Sequence, residues 1–572
     1  MLTYMAINPL TVIASARSLS SSLTKLVLSW LHINILFQGS TITPMSPNEF
    51  QSACSSIVSQ IESLLPGPGT SSTTVYFSEV IPSGTIISLE DNHPSCGRPS
   101  QLIFSDVCRI ALYTSTSTRS GINMELWLPR NWTGQMLSTG NGGLSGCIQY
   151  EDIAYGSALG MASFGTNNGH NGTSGDIFLQ NSDVVEDYAY RSVHAATVLS
   201  KTIIEEFYHG ISHTKSYYLG CSTGGRQGLK SVQDFPEDFD GVIAGAPAND
   251  LSSLLSWSGR YYSILGDSDS PSFITEEQWS NLIHPDIMDQ CDTIDGVADG
   301  VIEDPNLCDY KPERLMCSSS AKDKSKCLER EQVRALRSVF SPFYGPDGEL
   351  WYPRQQPGSE NAVTRMTMYS NKPHPYTADW FRYVIYNNPD LDVTKLNRTD
   401  WAYAKTLNPF NVDTWEGDLS RFKSRNGKLI TWHGQADGLI SPANSERYYN
   451  HVSYTMNMPP SELDEFYRFF RVSGLGHCRG GEGAWVVGQT LRSIADVRLD
   501  EEFLDPDGNV LMAMIRWVEE GKAPETLRGR KYVNDSMSLG VQSSRRHCRY
   551  PLRNQYNGGS ADGAQSEAWT CK

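Results

Sequence analysis

Ser222 stands in the stretch Gly220-Cys221-Ser222-Thr223-Gly224, a G-x-S-x-G pattern. A serine hydroxyl is a poor nucleophile at neutral pH; it needs a base to take its proton and a third group to orient that base. Where this pattern forms a tight strand-to-helix turn, the partners follow in the chain order serine, acid, histidine. Asp437 lies in "LITWHGQADGLISP", just past an apolar run, and His477 lies in the Gly-rich "SGLGHCRGG". Each has a competing reading. Asp437 is also suited to cap the helix that follows, and His433 is a rival histidine, closer to its strand and read here as packed or hydrogen-bonding. With 12 histidines in the chain, His477 alone would be unremarkable.

Two cysteines sharpen the choice. Cys221 immediately precedes Ser222, and Cys478 immediately follows His477. A disulfide needs Cα atoms about 4.4–6.8 Å apart. A serine and a histidine within hydrogen-bonding reach bring their neighbours to about that separation, so one geometry serves both pairings. The expectation is a Cys221–Cys478 bond holding nucleophile and base in register, against the alternative that both cysteines are ordinary staples.

The elements that must position these residues follow from periodicity. "GINMELWLP" and "GQMLSTGNGG" read as strands, the second ending in a Gly-rich loop. Val184 to Tyr208 repeats apolar residues every three or four positions and reads as an amphipathic helix. "KSYYLG" is a strand, "GGRQGLKSVQDFP" a helix and "FDGVIAGAP" a buried strand. The alternation returns late with "GKLITWHG", "SPANSERYYNHV", "EFYRFFRVSG" and "NVLMAMIRWVEEG". Such alternation predicts an α/β fold with parallel strands. Between roughly Asp250 and Ser420 the pattern is irregular, and this part reads as an inserted domain over the functional edge of the sheet.

The bulk numbers bound the rest. A chain of 572 residues with 39% hydrophobic and 19% charged content is globular and large enough for more than one domain. A formal net charge of −17 argues against nucleic acid and against anionic membranes as partners. Twelve cysteines and four N-x-[ST] sequons, at Asn131, Asn171, Asn397 and Asn534, point to an oxidising, secretory environment and a glycoprotein. "KLVLSWLHINILFQGST" (Lys25 to Thr41) has the order of a secretory signal, although 24 residues precede it and His32 and Asn34 interrupt the apolar run. The expected division is a targeting segment at 1–41, a first core part at 42–250, an inserted lid with a metal loop at 251–420, and a second core part with a C-terminal extension at 421–572.

"CDTIDGVADGVIEDPNLC" places Asp292, Asp295 and Asp299 close together between Cys291 and Cys308. Hard cations such as Ca²⁺ take several oxygen ligands, but this spacing is not that of an EF-hand. Spacing alone leaves calcium and a solvated acidic turn open.

"GCSTGGRQG", the Asp after "WHGQAD", and "GHC" together resemble the tannase and feruloyl esterase family of secreted serine esterases, over about Phe50 to Cys571. The threonine after the serine and the run "GGRQGLKSVQDFPEDFDGVIAGAPA" look more like its feruloyl esterase B branch than true tannases; polyester-monomer hydrolases also belong to the family. The resemblance implies an α/β-hydrolase fold with a large lid and a disulfide joining the neighbours of the catalytic serine and histidine. It implies structural calcium held by Asp292, Asp295 and Asp299 with the carbonyls of Val297 and Val301. It pairs Cys291–Cys308, Cys317–Cys327 and Cys548–Cys571, which leaves Cys54–Cys108 and Cys96–Cys147.

Acyl transfer also needs oxyanion donors. The amide after the nucleophile, of Thr223, is the first; the resemblance puts the second in "STGNGGLSG", at Gly142 or Gly143. The expected activity is hydrolysis of hydroxycinnamoyl (feruloyl or p-coumaroyl) esters of plant cell-wall polysaccharide, as in xylan degradation, without an organic cofactor. The inserted domain, with aromatics such as Trp257, Tyr261, Tyr262, Trp380 and Phe381, is expected to bind the phenolic ring, most of these side chains being core. The alternatives are a tannase acting on galloyl esters and a non-catalytic, calcium-stapled carbohydrate-binding protein. A thiol oxidoreductase is disfavoured because no C-x-x-C surrounds Cys221.

Overall fold

The structure is a computed structural model and describes residues 42–64, 72–320, 322–323, 326–489, 503–558 and 563–572. The signal-like stretch at 25–41 lies outside the described residues. Among the described residues no helix is long and apolar enough to cross a membrane.

The core is one nine-stranded sheet. Its strands in chain order are β1 (Thr73–Ile81), β2 (Val107–Ser115), β3 (Gly121–Pro129), β4 (Gln135–Thr139), β5 (Ala162–Thr166), β6 (Lys215–Cys221), β7 (Gly241–Gly245), β8 (Lys428–Gly434) and β9 (Tyr467–Val472). Their spatial order is β1-β2-β3-β5-β4-β6-β7-β8-β9. The pairs from β1 through β5 are antiparallel. From β5 to β9 every pair is parallel. This mostly parallel, helix-flanked sheet is that of an α/β-hydrolase.

The parallel strands are apolar on both faces because helices cover both. Side chains alternate across the pleat. Tyr217 and Leu219 of β6 pack with Ile243, Ile430 and the apolar face of helix α7 (Val510–Glu520). Tyr218 points the other way, into Leu229 and Val232 of helix α4 (Thr223–Asp234), with Val242 and Phe469. Of the remaining helices, α1 (Pro47–Leu64) and α3 (Ser192–Phe207) cover the antiparallel end, α2 (Tyr150–Ala158) joins β4 to β5, and α6 (Ala443–Thr455) joins β8 to β9. The amphipathic stretch read from Val184 is two helical pieces, Ser182–Glu186 and α3, joined by a wide π turn at Asp187–Arg191.

Between β7 and β8 the chain builds a separate layer over the C-terminal ends of the strands. It opens with helix α5 (Leu251–Leu265) and continues through short helices such as Arg330–Val339 and Arg398–Leu407. The sequence reads as irregular here because these helices are short and broken by π and 3₁₀ turns, which interrupt a 3.6-residue period. The layer has its own apolar core, in which Trp257, Tyr261, Trp279, Trp380 and Phe381 are buried. Six disulfides close the chain: 54–108, 96–147, 221–478, 291–308, 317–327 and 548–571.

Candidate active site

Ser222 sits between the end of β6 and the start of α4 with φ 65° and ψ −122°, a conformation costly for any residue with a Cβ. The turn survives because the chain around it is stripped of side chains. A Cβ on Gly220 would lie 2.7 Å from the backbone of Gly224, and one on Gly225 would lie 2.4 Å from the carbonyl oxygen of Gly245. Hydrogen bonds from Ser222 N–H to Gly245 O (3.0 Å) and from Ala248 N–H to Ser222 O (3.0 Å) fix the turn against β7.

His477 reaches this serine from the loop after β9. Its Nε2 lies 2.9 Å from Ser222 Oγ and its Nδ1 lies 2.7 Å from Asp437 Oδ2. The carboxylate accepts a hydrogen bond from Nδ1–H, so Nε2 is the acceptor facing the serine hydroxyl. Asp437, on the loop after β8, is wholly buried. Its Oδ1 accepts from the amides of Leu439 and Ile440 at 2.9 and 3.0 Å. Burial pushes the carboxyl up, but the charge of His477 and hydrogen bonds from His433 and His477 outweigh it and hold Asp437 far below the usual carboxylate range. It is therefore charged at every working pH. The helix-capping alternative does not describe it: its oxygens hold its own loop and two histidines.

His433 is packed and hydrogen-bonded as read, but with a role the sequence does not announce. Its Nδ1 lies 2.7 Å from Ser445 Oγ, and its Nε2 lies 3.1 Å from Asp437 Oδ2. With the Ser445 hydroxyl donating to Nδ1, His433 donates from Nε2 to the triad carboxylate. The spacing His433-x-x-x-Asp437 is the one signal for this pairing, and it is a weak one.

Cys221 and Cys478 are bonded with Cα atoms 6.0 Å apart. Cys478 has φ +62°, so the histidine loop, like the serine turn, is held in a strained conformation beside the bond.

The Gly-rich loop after β4 lies across the N-terminus of α4. Asn141 O accepts from Gly224 N–H at 2.7 Å, and Asn141 N–H donates to Gln227 Oε1 at 3.0 Å. Gly143 O accepts from Thr223 Oγ1 (2.7 Å) and Tyr188 Oη (3.1 Å). Gly142 O is turned to the Ser145 amide and hydroxyl at 3.1 and 2.6 Å. In a trans peptide N–H points opposite to C=O, so Gly143 N–H faces away from that turn. Thr223 N–H, at the first position of α4, has no intrahelical partner. The polar part of "GGRQG" is thus a clamp: Gln227 holds the loop, and the buried Arg226 donates to Ala189 O and Tyr188 O of the π turn at 2.8 and 2.9 Å.

These groups open into a cavity of about 360 Å³ lined by Ser222, His477, Gly142 and Gly143, with Arg98, Gln149, Glu151 and Asp152 also on its wall. The lid contributes Tyr376, which reaches the loop so closely that a Cβ on Gly143 would lie 2.4 Å from its Oη. The lid aromatics named from sequence do not line this cavity. Trp257, Tyr261, Trp380 and Phe381 are buried in the lid core and Tyr262 is half-buried. Large rings on short helices are what gives this layer a core, which is why they mark packing rather than a ligand.

The acidic loop lies away from the triad. Asp292 accepts from Asp299 N–H (3.4 Å) and Gly300 N–H (3.2 Å), and Asp299 accepts from Val301 N–H (3.2 Å) and from Arg545. Asp295 accepts from Val297 N–H at 2.9 Å through Oδ1, while its buried Oδ2 has no hydrogen-bond partner among the described residues. Burial, then the neighbouring Glu303 and Asp299 carboxylates, push Asp295 up to about 6. Among the described residues no three acidic, histidine or cysteine side chains converge as a ready-made cage. An orphaned, buried carboxylate oxygen among acidic neighbours nonetheless fits a hard cation completed by backbone carbonyls.

A sequence model of tannase and feruloyl esterase matches residues 107–570. The chain belongs to the tannase and feruloyl esterase family. It is 49% identical over 526 residues to a probable feruloyl esterase B-2 of Aspergillus oryzae, covering 92% of this chain and 96% of the relative. The crystal structure of feruloyl esterase B from Aspergillus oryzae superposes with a TM-score of 0.85 at 44% identity, covering 91% of this chain and all of that one. Tannin acyl hydrolase from Aspergillus niger shares the fold, with a TM-score of 0.71 at 22% identity over 93% of this chain and 96% of its own.

Proposed function

We propose that this chain is a secreted carboxylic ester hydrolase that cleaves hydroxycinnamoyl esters of plant cell-wall polysaccharide through an acyl-enzyme. The observation that carries the reading is the unbroken chain Ser222 Oγ, His477, Asp437, at 2.9 and 2.7 Å, opening into a cavity beside a Gly-rich loop. The name of the Aspergillus oryzae relatives supports the acyl group. Six disulfides support an oxidising destination, and the sequons at Asn171, Asn397 and Asn534 are exposed.

Ser222 Oγ attacks the ester carbonyl as His477 Nε2 takes its proton. The carbonyl oxygen gathers charge against the amides of Thr223 and Gly143, with Gly142 beside them. The tetrahedral species collapses by breaking the bond to the alcohol oxygen, which takes the proton from His477. Water then adds to the acyl-serine with His477 again as base; the C–Oγ bond breaks, Ser222 regains its proton, and the phenolic acid leaves. Asp437 holds the tautomer and stabilises the imidazolium without itself being protonated. Calcium is proposed at the acidic loop, on Asp292, Asp295 and Asp299 with the carbonyls of Val297 and Val301. Bound there it supplies positive charge to a buried acidic loop and no chemistry to the ester.

The test is turnover of methyl ferulate, caffeate, p-coumarate and gallate by wild type and Ser222→Ala. Hydrolysis of the cinnamates, lost in the variant, is expected. Hydrolysis of gallate alone would move the enzyme to tannase, and turnover by Ser222→Ala would remove the nucleophile assignment.

A further inference from the structure

The cavity wall away from His477 carries a built polar group that the mechanism does not use. Arg98 and Glu151 form a forked pair, Nε to Oε2 at 2.7 Å and NH2 to Oε1 at 2.8 Å, with side chains only 10% and 11% exposed. Arg98 NH2 also donates to Gln149 Oε1, and its NH1 donates to Cys96 O at 3.1 Å. A guanidinium has five N–H donors. Among the described residues four are used, and one, on NH1, is left for a ligand. The wall is rigid: the Cys96–Cys147 bond joins its two segments, and Asn141 Nδ2 donates to Cys147 O at 3.0 Å, tying it to the oxyanion loop.

Strand order says which half of an ester meets this wall. The oxyanion loop follows β4, Ser222 follows β6, and His477 follows β9, with β6, β7 and β8 between. Residues 147–152 continue from the loop into α2, which leads on to β5 on the far side of β4. His477 must protonate the departing alcohol, so the alcohol lies on its side of the serine. The acyl group then extends towards Arg98.

Charge narrows the acyl group further. Arg98 brings one positive charge against the carboxylates of Glu151 and Asp152, all lining the cavity. Among the described residues the other cation on the wall is Arg479, two residues past His477, on the alcohol side. The acyl-side wall thus sets an N–H donor beside carboxylate acceptors. It suits a neutral group that both accepts and donates, which is the property of a phenol.

We propose that the Arg98–Glu151 pair is the acyl-side specificity element. Arg98 donates its remaining N–H to a ring hydroxyl oxygen, and the adjoining carboxylate of Glu151 or Asp152 accepts that hydroxyl's proton in a hydrogen bond. This rests on the hydroxycinnamoyl reading above and adds what distinguishes one cinnamate from another. An unsubstituted ring leaves the wall's donor unanswered, and a 4-methoxy ring accepts but cannot donate.

The experiment compares kcat/KM for methyl p-coumarate, methyl 4-methoxycinnamate and methyl cinnamate, with p-nitrophenyl acetate alongside. Wild type is expected to favour p-coumarate over cinnamate about ten- to hundred-fold, the range for a hydrogen bond to a charged group, with the methoxy ester far below p-coumarate. In Arg98→Met/Glu151→Met, which removes both charges together and strands neither, that ratio is expected to fall towards one. An unchanged ratio in the double variant, or no preference in wild type, overturns the assignment. Should the double variant not fold, Arg98→Lys keeps the charge but not the planar fork; the ratio is expected to fall there also, and a retained ratio overturns the proposal. Turnover of p-nitrophenyl acetate with no turnover of any cinnamoyl ester is a different failure, that of the hydroxycinnamoyl reading itself.

Discussion

Cys221 and Cys478 are bonded across 257 residues of chain, and each is the immediate neighbour of a side chain of the proposed triad, Ser222 and His477. Both Ser222 and Cys478 hold positive φ, so the bond lies between two strained turns. It clamps nucleophile and base at 2.9 Å. Loop closure of this length is worth about 5 kcal/mol in the chain-entropy account and commonly less in practice. Cys221→Ala/Cys478→Ala is expected to lower Tm and to reduce kcat at least about a hundred-fold, because small misplacement of reacting groups costs that much. Near-normal kcat in a folded double variant would show that the two loops hold their register without the bond.

His433 is expected to act on the reaction through Asp437. Removing it leaves Asp437 Oδ2 with His477 as its one side-chain partner among the described residues and takes a donor from a wholly buried carboxylate. A lost hydrogen bond to a charged group is worth about 1.5–3 kcal/mol. His433→Ala should therefore lower kcat about ten- to hundred-fold with KM little moved. With one donor fewer, the charged Asp437 carboxylate accepts more strongly from His477 Nδ1–H, so the acid limb of the kcat profile is expected to move to higher pH. Lost stability with kcat and the pH profile unchanged would assign His433 to packing alone.

The triad was legible because three features coincide: a serine at a strand-to-helix turn, an acid and a histidine past later strands in the required order, and cysteines next to two of the three. The strands were legible because β6 to β9 are short apolar runs buried on both faces. The supporting contacts were not. Gln227 and Arg226 look like ordinary polar residues of an amphipathic helix, and only tertiary structure puts them on the Gly-rich loop and the π turn. Arg98 and Glu151 are 53 residues apart, and no periodicity pairs them. The lid misled in a definite way: its aromatics suggested a ring-binding surface, whereas short helices need such side chains to make a core of their own.

Where the chain enters and leaves the lid, two buried carboxylates meet. Asp250 N–H donates to Asp413 O at 2.6 Å, and Asp413 Oδ1 accepts from Ser252 N–H at 2.8 Å. Burial, then the charge of Asp250, push Asp413 up to about 6, against the attraction of Lys405. Burial raises Asp250 as well, opposed by Lys405 and Arg447. The sign follows from linkage. A carboxyl raised in the fold binds its proton more tightly there than in the unfolded chain, so stability falls as pH rises from about 4 towards 6. Tm measured across that window should decline in wild type, and Asp413→Asn should flatten the decline. An unaltered slope in the variant would place the titrating group elsewhere.

The acidic loop makes the last prediction. Asp295 Oδ2 is buried without a partner among the described residues, and the loop is closed by Cys291–Cys308. A cation there lowers the energy of the folded state alone, by an amount that grows with its free concentration. Chelation is expected to lower Tm and to leave kcat at low temperature unchanged, since the loop lies outside the catalytic cavity. Added Ca²⁺ should restore Tm. Asp295→Asn should make Tm insensitive to both chelator and Ca²⁺, because it replaces the orphaned anionic oxygen with a neutral amide. Immediate, reversible loss of kcat without a change in Tm would make the ion catalytic. A Tm indifferent to chelation in wild type would leave the loop as an acidic turn held by Arg545.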